Sequence, residues 1–272
     1  MSSQRARCAR MCAVAWMAMV GWLLPLAAPV AGDELATQGR QVVERWKEAV
    51  VTVRLVLKTS MSFGGEAQEE EEKTDATGTV IDPSGLTVVS LYDTDPVEVY
   101  KRIMGGEGVD QSKFSMESKV TDLKLRFADG KEVPAKVVLR DNDLDLAFVR
   151  PQEKLADPVP ALDLSDSAAP GLLDQIVWLD RLREEGDWGI ITGLDRIATI
   201  LHKPRTMYIP WNGDFVAELG APAFSLEGKL VGILVMRLRP SAGARAGEGG
   251  MLAVMLPAAD ILEVAKQALA AQ

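Results

Sequence analysis

Residues 78–91 read Gly-Thr-Val-Ile-Asp-Pro-Ser-Gly-Leu-Thr-Val-Val-Ser-Leu, and this stretch decides the fold. Two apolar runs, Gly78 to Asp82 and Leu86 to Leu91, flank Asp82-Pro83-Ser84-Gly85. Proline presets φ for a turn and glycine accepts φ above zero, so the pattern predicts an antiparallel hairpin. Upstream, Val50 to Leu57 is another β-branched run. Downstream, Thr121 to Phe127 alternates Leu123, Leu125 and Phe127, turns at Ala128-Asp129-Gly130-Lys131 and returns through Val133 to Leu139. Leu144 to Val149 adds a further strand.

Between these runs lie two stretches of different character. Ser60 to Lys73 holds Gly64, Gly65 and the acidic block Glu69 to Glu72, and like charges this dense resist burial, which predicts a solvated loop. Val97 to Glu117, with Gly105, Gly106 and Gly108, reads as an excursion from the body.

After a proline-rich connector from Pro151 to Pro170, a second strand set follows. Its members are Gln175–Leu179, Gly189–Leu194, Ile197–His202, Met207–Ile209, Ala223–Ser225, Leu230–Leu238 and Met251–Leu256. Glu34 to Ala49 has the spacing of a short amphipathic helix, and Asp260 to Ala271 places Ile261, Leu262, Val264, Ala265 and Leu269 at helical intervals behind Pro257. Two runs of short strands joined by a linker and closed by a helix point to tandem all-β barrels rather than an alternating βα scheme.

Composition narrows the function. Arg5, Arg7 and Arg10 precede an apolar run from Met11 to about Ala31, which reads as an export signal (residues 1–32) cleaved after Gly32 or, left uncleaved, as a membrane anchor. Cys8 and Cys12 both lie inside it, so the exported form would carry no thiol, disulfide or cysteine metal site. Losing three arginines takes the formal charge from −9 to −12, which argues against a nucleic-acid partner because phosphate binding needs clustered cations. Nothing in the sequence calls for a cofactor or metal. Asp141-Asn142-Asp143-Leu144-Asp145 lacks the glycine and distal glutamate of a calcium loop.

Four strings resemble the protease domain of HtrA/Deg-type trypsin-like serine proteases, in that family's order. They are Thr77 to Leu86, Ala128 to Val138, Asp145-Leu146-Ala147 and Gly220 to Ile233. The resemblance implies a chymotrypsin-like double β-barrel. Its first barrel spans about 49–150, its linker 151–170, its second barrel about 171–256 and its C-terminal helix about 257–271; no PDZ domain is expected after that helix.

Carried over residue by residue, the triad changes at two of three positions. The histidine, seven residues beyond the glycine of the Asp-x-x-Gly turn, falls on Tyr92; the aspartate before Leu-Ala falls on Asp145; the serine falls on Leu219. The oxyanion-hole positions fall on Ala217 and Leu219, with Ala221 replacing a further glycine. Leucine offers no nucleophilic atom, and an unperturbed phenol titrates near pH ~10, too high for a base at neutrality. His202, the one histidine, stands in Ile200-Leu201-His202-Lys203-Pro204, away from these positions, and reads as a surface residue.

Other candidates are weaker. Ser90 and Ser225 are conceivable nucleophiles, the latter with Lys229 as base, but four residues of strand would separate that pair by about 13 Å. Asp93 and Asp95 read as solvated loop carboxylates rather than an acid-protease pair. Trp178, Trp188 and Trp211 read as core, or as the wall of an apolar groove for an extended peptide. The resulting expectation is an exported pseudoprotease of the envelope or extracellular space that binds a polypeptide or protein. The alternative is an active serine endopeptidase with a non-standard nucleophile. Self-association, or association with an active homologue through the helix around Trp46, is also open.

Overall fold

Alternation in β1 (Val50–Phe63) fixes the first barrel, because Val51, Val53, Leu55 and Leu57 all turn inward. The computed structural model describes residues 31–63, 66–104, 114–211, 217–238 and 251–271. β1 pairs antiparallel with β2 (Glu66–Asp82) on one side and β4 (Phe114–Arg126) on the other. With β3 (Leu86–Ser90), β5 (Glu132–Asp141) and β6 (Leu146–Pro151) they close in the order β1-β2-β3-β6-β5-β4. A second closed barrel, in the order β10-β11-β12-β9-β8-β7, is built from β7 (Gln175–Arg181), β8 (Ile190–Leu201), β9 (Met207–Pro210), β10 (Pro222–Ser225), β11 (Leu230–Leu238) and β12 (Met251–Pro257). The ladder closes around each barrel, but β2 before Gly78 and β4 before Lys124 pair, among the described residues, with β1 alone, so β2, β1 and β4 continue past the first barrel as a three-stranded arm.

Three cores follow from the period of two. One fills the first barrel and one the second, while a third lies between them. β3 and β6 are buried on both faces for this reason: Val89, Ala147 and Val149 face the first barrel, and Leu86, Val88, Leu146 and Phe148 join Val177, Leu179, Phe224 and Ile233 of the second. Truncating Phe148, which is fully buried, would cost about 3–5 kcal/mol.

Both expected terminal helices form. In α1 (Ala31–Trp46), Val42 is buried, and the Trp46 ring stacks on Phe224 at 5.9 Å while its Nε1–H donates to Gly228 O at 2.8 Å. In α4 (Ala258–Ala270), Ala258, Ile261, Val264, Ala265 and Ala268 are buried, and the Arg150 guanidinium donates to the terminal carbonyls of Ala268, Leu269 and Ala271. Arg181 is a second structural arginine. Its buried guanidinium donates to Val50 O at 2.9 Å, Lys47 O at 2.8 Å and Trp188 O at 2.8 Å, so one side chain ties the entry to the first barrel onto β7.

Three local expectations need correction. The acidic block is strand, not loop: Glu69 to Glu72 lie in β2, paired with Lys58 to Ser60 and Leu57 across the ladder, and Lys58 Nζ meets Glu69 Oε2 at 2.7 Å. Alternation sends successive glutamates to opposite, exposed faces, which halves the charge density on each. Gly189–Leu194 and Ile197–His202 are one continuous strand, β8, whose register shifts between Ile197 and Thr199 against β9. The stretch after Val97 begins as helix α3 (Pro96–Met104), and β4 starts already at Phe114. Gly105, Gly106 and Gly108 lie outside the described residues, as do Gly64 and Gly65.

Candidate functional site

At the end of β3, Ser90 starts a single helical turn, α2 (Leu91–Thr94), and its Oγ accepts the Tyr92 N–H at 3.2 Å. The same hydroxyl donates to Asp145 Oδ2 at 2.8 Å, and the Tyr92 N–H also reaches Asp145 Oδ1 at 3.2 Å. Asp145 sits in the turn before β6 with φ of 57°, a left-handed conformation that aspartate tolerates, and its own carbonyl accepts the Leu91 N–H at 3.0 Å. From the second barrel, the Met236 N–H on β11 donates to Asp145 Oδ2 at 2.9 Å. Burial pushes the Asp145 carboxyl above its ordinary range, opposed by these donors and by Arg237.

The loop holding Leu219 meets the same surface. Gly220 has φ of 87°, and a Cβ there would stand 2.1 Å from Thr77 O and 3.7 Å from Ser90 N, so only glycine allows this approach. Thr79 Oγ1 donates to Gly220 O at 2.8 Å, and the Gly220 N–H donates to Leu234 O at 2.8 Å. The structure therefore brings the Tyr92 backbone, the Asp145 carboxylate and the Leu219–Gly220 turn together where the barrels meet. Leu219 is half-buried against the second-barrel core, which also contains Ala217 and Ala221.

A second carboxylate at this junction is not signalled by the sequence. Asp180, at the end of the apolar run in β7, is buried; it accepts the Thr77 hydroxyl at 2.5 Å, the Arg181 N–H at 2.6 Å and the Glu218 N–H at 2.7 Å. Burial raises its carboxyl, with the Thr77 and Arg181 donors and Arg183 opposing. The Arg183 guanidinium pairs with the Glu218 carboxylate, and its Nη1 lies 3.4 Å from Thr77 Oγ1. Thus Glu218, between Ala217 and Leu219, is held at its backbone N–H by Asp180 and at its carboxylate by Arg183.

Asp93 completes the group and overturns its reading as a solvated carboxylate. It is only partly exposed, and burial together with Asp145 and Asp180 pushes its carboxyl up to about 7, with Arg183 opposing. Asp95 is likewise structural: it accepts the Glu98 N–H at 3.3 Å at the start of α3 and the Ser118 hydroxyl at 2.6 Å, and Arg140 lies 3.9 Å away.

The remaining candidates do not converge. His202 is exposed just beyond β8. Ser225 and Lys229 face each other across the turn between β10 and β11, the Ser225 N–H donating to Lys229 O at 2.9 Å, so the 13 Å strand separation fails. The lysine ammonium nevertheless turns to Asp166, 3.8 Å away. Asp141 Oδ1 accepts the N–H groups of Asp143 and Leu144, which makes the segment before Asp145 a side-chain-capped turn. Trp178 is buried; Trp188 lies under Arg126, 4.0 Å from its centroid, with Arg54 at 5.8 Å; Trp211 is exposed.

Beside Asp145 a groove of about 900 Å³ is lined from the first-barrel side by Val99, Asn142 and Asp143 and from the second barrel by Leu201, Met207, Ile209, Leu252 and Val254, with Lys203, Arg205 and Arg237. None of the three tryptophans lines it. Around Asp145 and Asp180 the junction offers two hydroxyls, Ser90 and Thr77, both buried and both donating to carboxylates. A carboxylate is a poor base for an alcohol, whose proton it holds too weakly for transfer at neutral pH.

A family model of the trypsin-like peptidase domain matches residues 76–233. Among solved structures, the chain is similar to the MamO protease domain from Magnetospirillum magneticum in its apo form, with 15% identity and a TM-score of 0.50 over 81% of this chain and 97% of that one. At that identity the likeness concerns the fold.

Proposed function

The chain belongs to the trypsin-like peptidase domain family, and from that premise we propose that it is an exported, HtrA-like pseudoprotease that holds a polypeptide without cutting it. The observation that carries this reading is the use of Asp145. Its carboxylate accepts from Ser90, Tyr92 and Met236, which ties it into the barrel junction as a structural acceptor, and Tyr92 supplies that site with a backbone N–H instead of an imidazole. Leu219, the position to which the resemblance assigns the nucleophile, is a half-buried hydrocarbon packed against the second-barrel core. Rate enhancement by a triad collapses when any member is missing, because the base and nucleophile act as one unit.

The groove beside Asp145 supports binding. Its apolar floor suits side chains of an extended segment, and its size is in the range of ligand clefts, about 300–1,000 Å³. The export reading rests on Arg5, Arg7, Arg10 and the apolar run that follows them.

The test uses purified protein with two readouts. Casein and a fluorogenic peptide library are expected to remain intact, a fluorophosphonate probe to leave the protein unlabelled, and reduced, unfolded lactalbumin to bind. Turnover of either substrate, or labelling by the fluorophosphonate, would instead identify a serine-type endopeptidase with an unusual nucleophile.

A further inference from the structure

One wall of the groove beside Asp145 is a single face shared by four neighbouring strands. Arg237 on β11 stands opposite Leu252 on β12, and opposed residues of an antiparallel pair share a face. Met255 opposes Tyr208, and both point into the second barrel, so alternation turns Val254 on β12 and Met207 and Ile209 on β9 the other way, with Leu201 on β8 opposite Met207. Val254 and Met207 belong to the core between the barrels, and Leu201, Ile209 and Leu252 pack half-buried against it. The groove is therefore where that core opens to solvent.

Cations stand at both ends of this apolar floor. Arg237 is level with Leu252, while Lys203 and Arg205 lie in the β8–β9 turn just ahead of Met207. The Met255–Tyr208 register puts Met207 level with Leu256, four residues along β12 from Leu252, or about 13 Å; two strand spacings of about 5 Å lie across that direction, so the diagonal is roughly 16 Å. Among the described residues neither Lys203 nor Arg205 has an ion-pair partner. Two acids also border the groove, but the Asp145 carboxylate accepts from Ser90, Tyr92 and Met236, and Asp143 is exposed on the first-barrel side. Three cations around one apolar floor contrast with a chain whose formal charge is −9.

We propose that this groove selects an extended segment whose apolar residues are flanked by acids, one carboxylate meeting Arg237 and the other Lys203 and Arg205. The proposal rests on the reading of the protein as one that holds a polypeptide, and it names the class of polypeptide. Acids six positions apart, about 20 Å in extended chain, face the same way and reach past both ends of the floor, with two apolar side chains between them on that face. A basic segment would be repelled by the same cations. The connection 239–250 carries Arg239 and Arg245 against Glu248, with only alanines and Pro240 as apolar side chains, so its sequence does not match the groove.

Isothermal titration calorimetry on the full-length protein tests this with three peptides blocked at both termini. One is Ser-Gly-Glu-Val-Leu-Val-Leu-Val-Glu-Gly-Ser; the others carry glutamine or lysine in place of both glutamates. The glutamate peptide is expected to bind about tenfold more tightly than the glutamine peptide, to lose that advantage on going from about 0.05 to about 0.5 M salt, and to compete with reduced lactalbumin, while the lysine peptide binds weakest. The double variant Lys203→Gln, Arg205→Gln, altered only in a surface turn, is expected to keep its Tm and to bind the glutamate and glutamine peptides within about twofold of each other. Equal affinity for all three peptides, with lactalbumin still bound, overturns the charge selection and leaves the polypeptide-holding reading in place; binding of neither peptides nor lactalbumin overturns both. A preference that survives in the double variant places the acids elsewhere and overturns the proposal. A dimer in light scattering that the double variant dissolves assigns the groove to a second copy and overturns it as well.

Discussion

The Met236 N–H donates to Asp145 Oδ2 at 2.9 Å, and this bond joins β11 of the second barrel to the turn that opens β6 of the first. With Ser90 and Tyr92 donating from the first barrel, one carboxylate serves donors on both sides of the junction. Asp180 mirrors the arrangement, standing on β7 of the second barrel and accepting Thr77 from β2 of the first. Two buried aspartates thus lock the barrels from opposite directions, and mutation of either reads first as a change in stability.

Asp145→Ala strands the buried Ser90 hydroxyl and the part-buried Met236 N–H, and leaves the Tyr92 N–H with Ser90 Oγ as its remaining acceptor. The expected loss is about 3–5 kcal/mol, since orphaned partners of a buried charge dominate such changes. For a chain of this size that lowers Tm by roughly 10 °C. Asp145→Asn is expected to lose less, because its amide oxygen still accepts one N–H. Calorimetry decides, and an Asp145→Ala variant as stable as its parent would refute the architectural role.

Asp93 gives a pH signature whose sign is fixed. Its carboxyl titrates at about 7 when folded against 3.8 ordinarily, so between those values the native state holds the extra proton and stability falls as pH rises. The favourable contribution is complete below 3.8 and gone above about 7. Asp145 and Asp180, also raised by burial, act in the same direction. Asp93→Asn removes one part of the slope: the variant is expected to gain on the order of 2–3 kcal/mol at pH 8, allowing for partial solvent screening, and nothing at pH 3.5. Parallel urea titrations at the two pH values measure it, and an equal effect at both would exclude titration as the cause.

Strand periodicity made most of this fold legible. Val51 to Leu57 carries period-two burial, the Asp82 to Gly85 turn carries its own turn chemistry, and Leu230 to Leu238 is a short apolar run buried on both faces from 230 to 235; each signal acts within a few residues, and these segments formed as read. The acidic block misled because charge density argues against burial but not against an exposed strand, and β2 is exposed there. Asp93, Asp180 and Arg183 were illegible for another reason. Their meaning depends on partners up to about a hundred positions away, such as Thr77 and Asp180, separated by 103 residues. Local pattern cannot register such a pairing.

Gly220→Ala tests the close approach of the Leu219 turn to the first barrel. The new methyl would stand 2.1 Å from Thr77 O at a φ of 87°, so steric clash and left-handed strain add. The loss is expected to exceed about 2 kcal/mol, against about 1 kcal/mol for Thr79→Val, which removes only the hydroxyl bond to Gly220 O. Chemical denaturation of both variants gives the comparison, and the reverse order would mean the turn can shift away from β2.

Arg181→Lys separates charge from shape. The guanidinium reaches three carbonyls, those of Lys47, Val50 and Trp188, in three directions from one plane, while an ammonium is a point charge that cannot span them. At least two carbonyls lose their donor, which costs about 2–4 kcal/mol with net charge unchanged. Because Lys47 and Val50 flank the entry to β1, the loss should loosen that segment first. Native-state hydrogen exchange is expected to show faster exchange at the amides of 50–53 than at those of β11. Uniform acceleration across both barrels would instead make Arg181 a contributor to global stability without a local role.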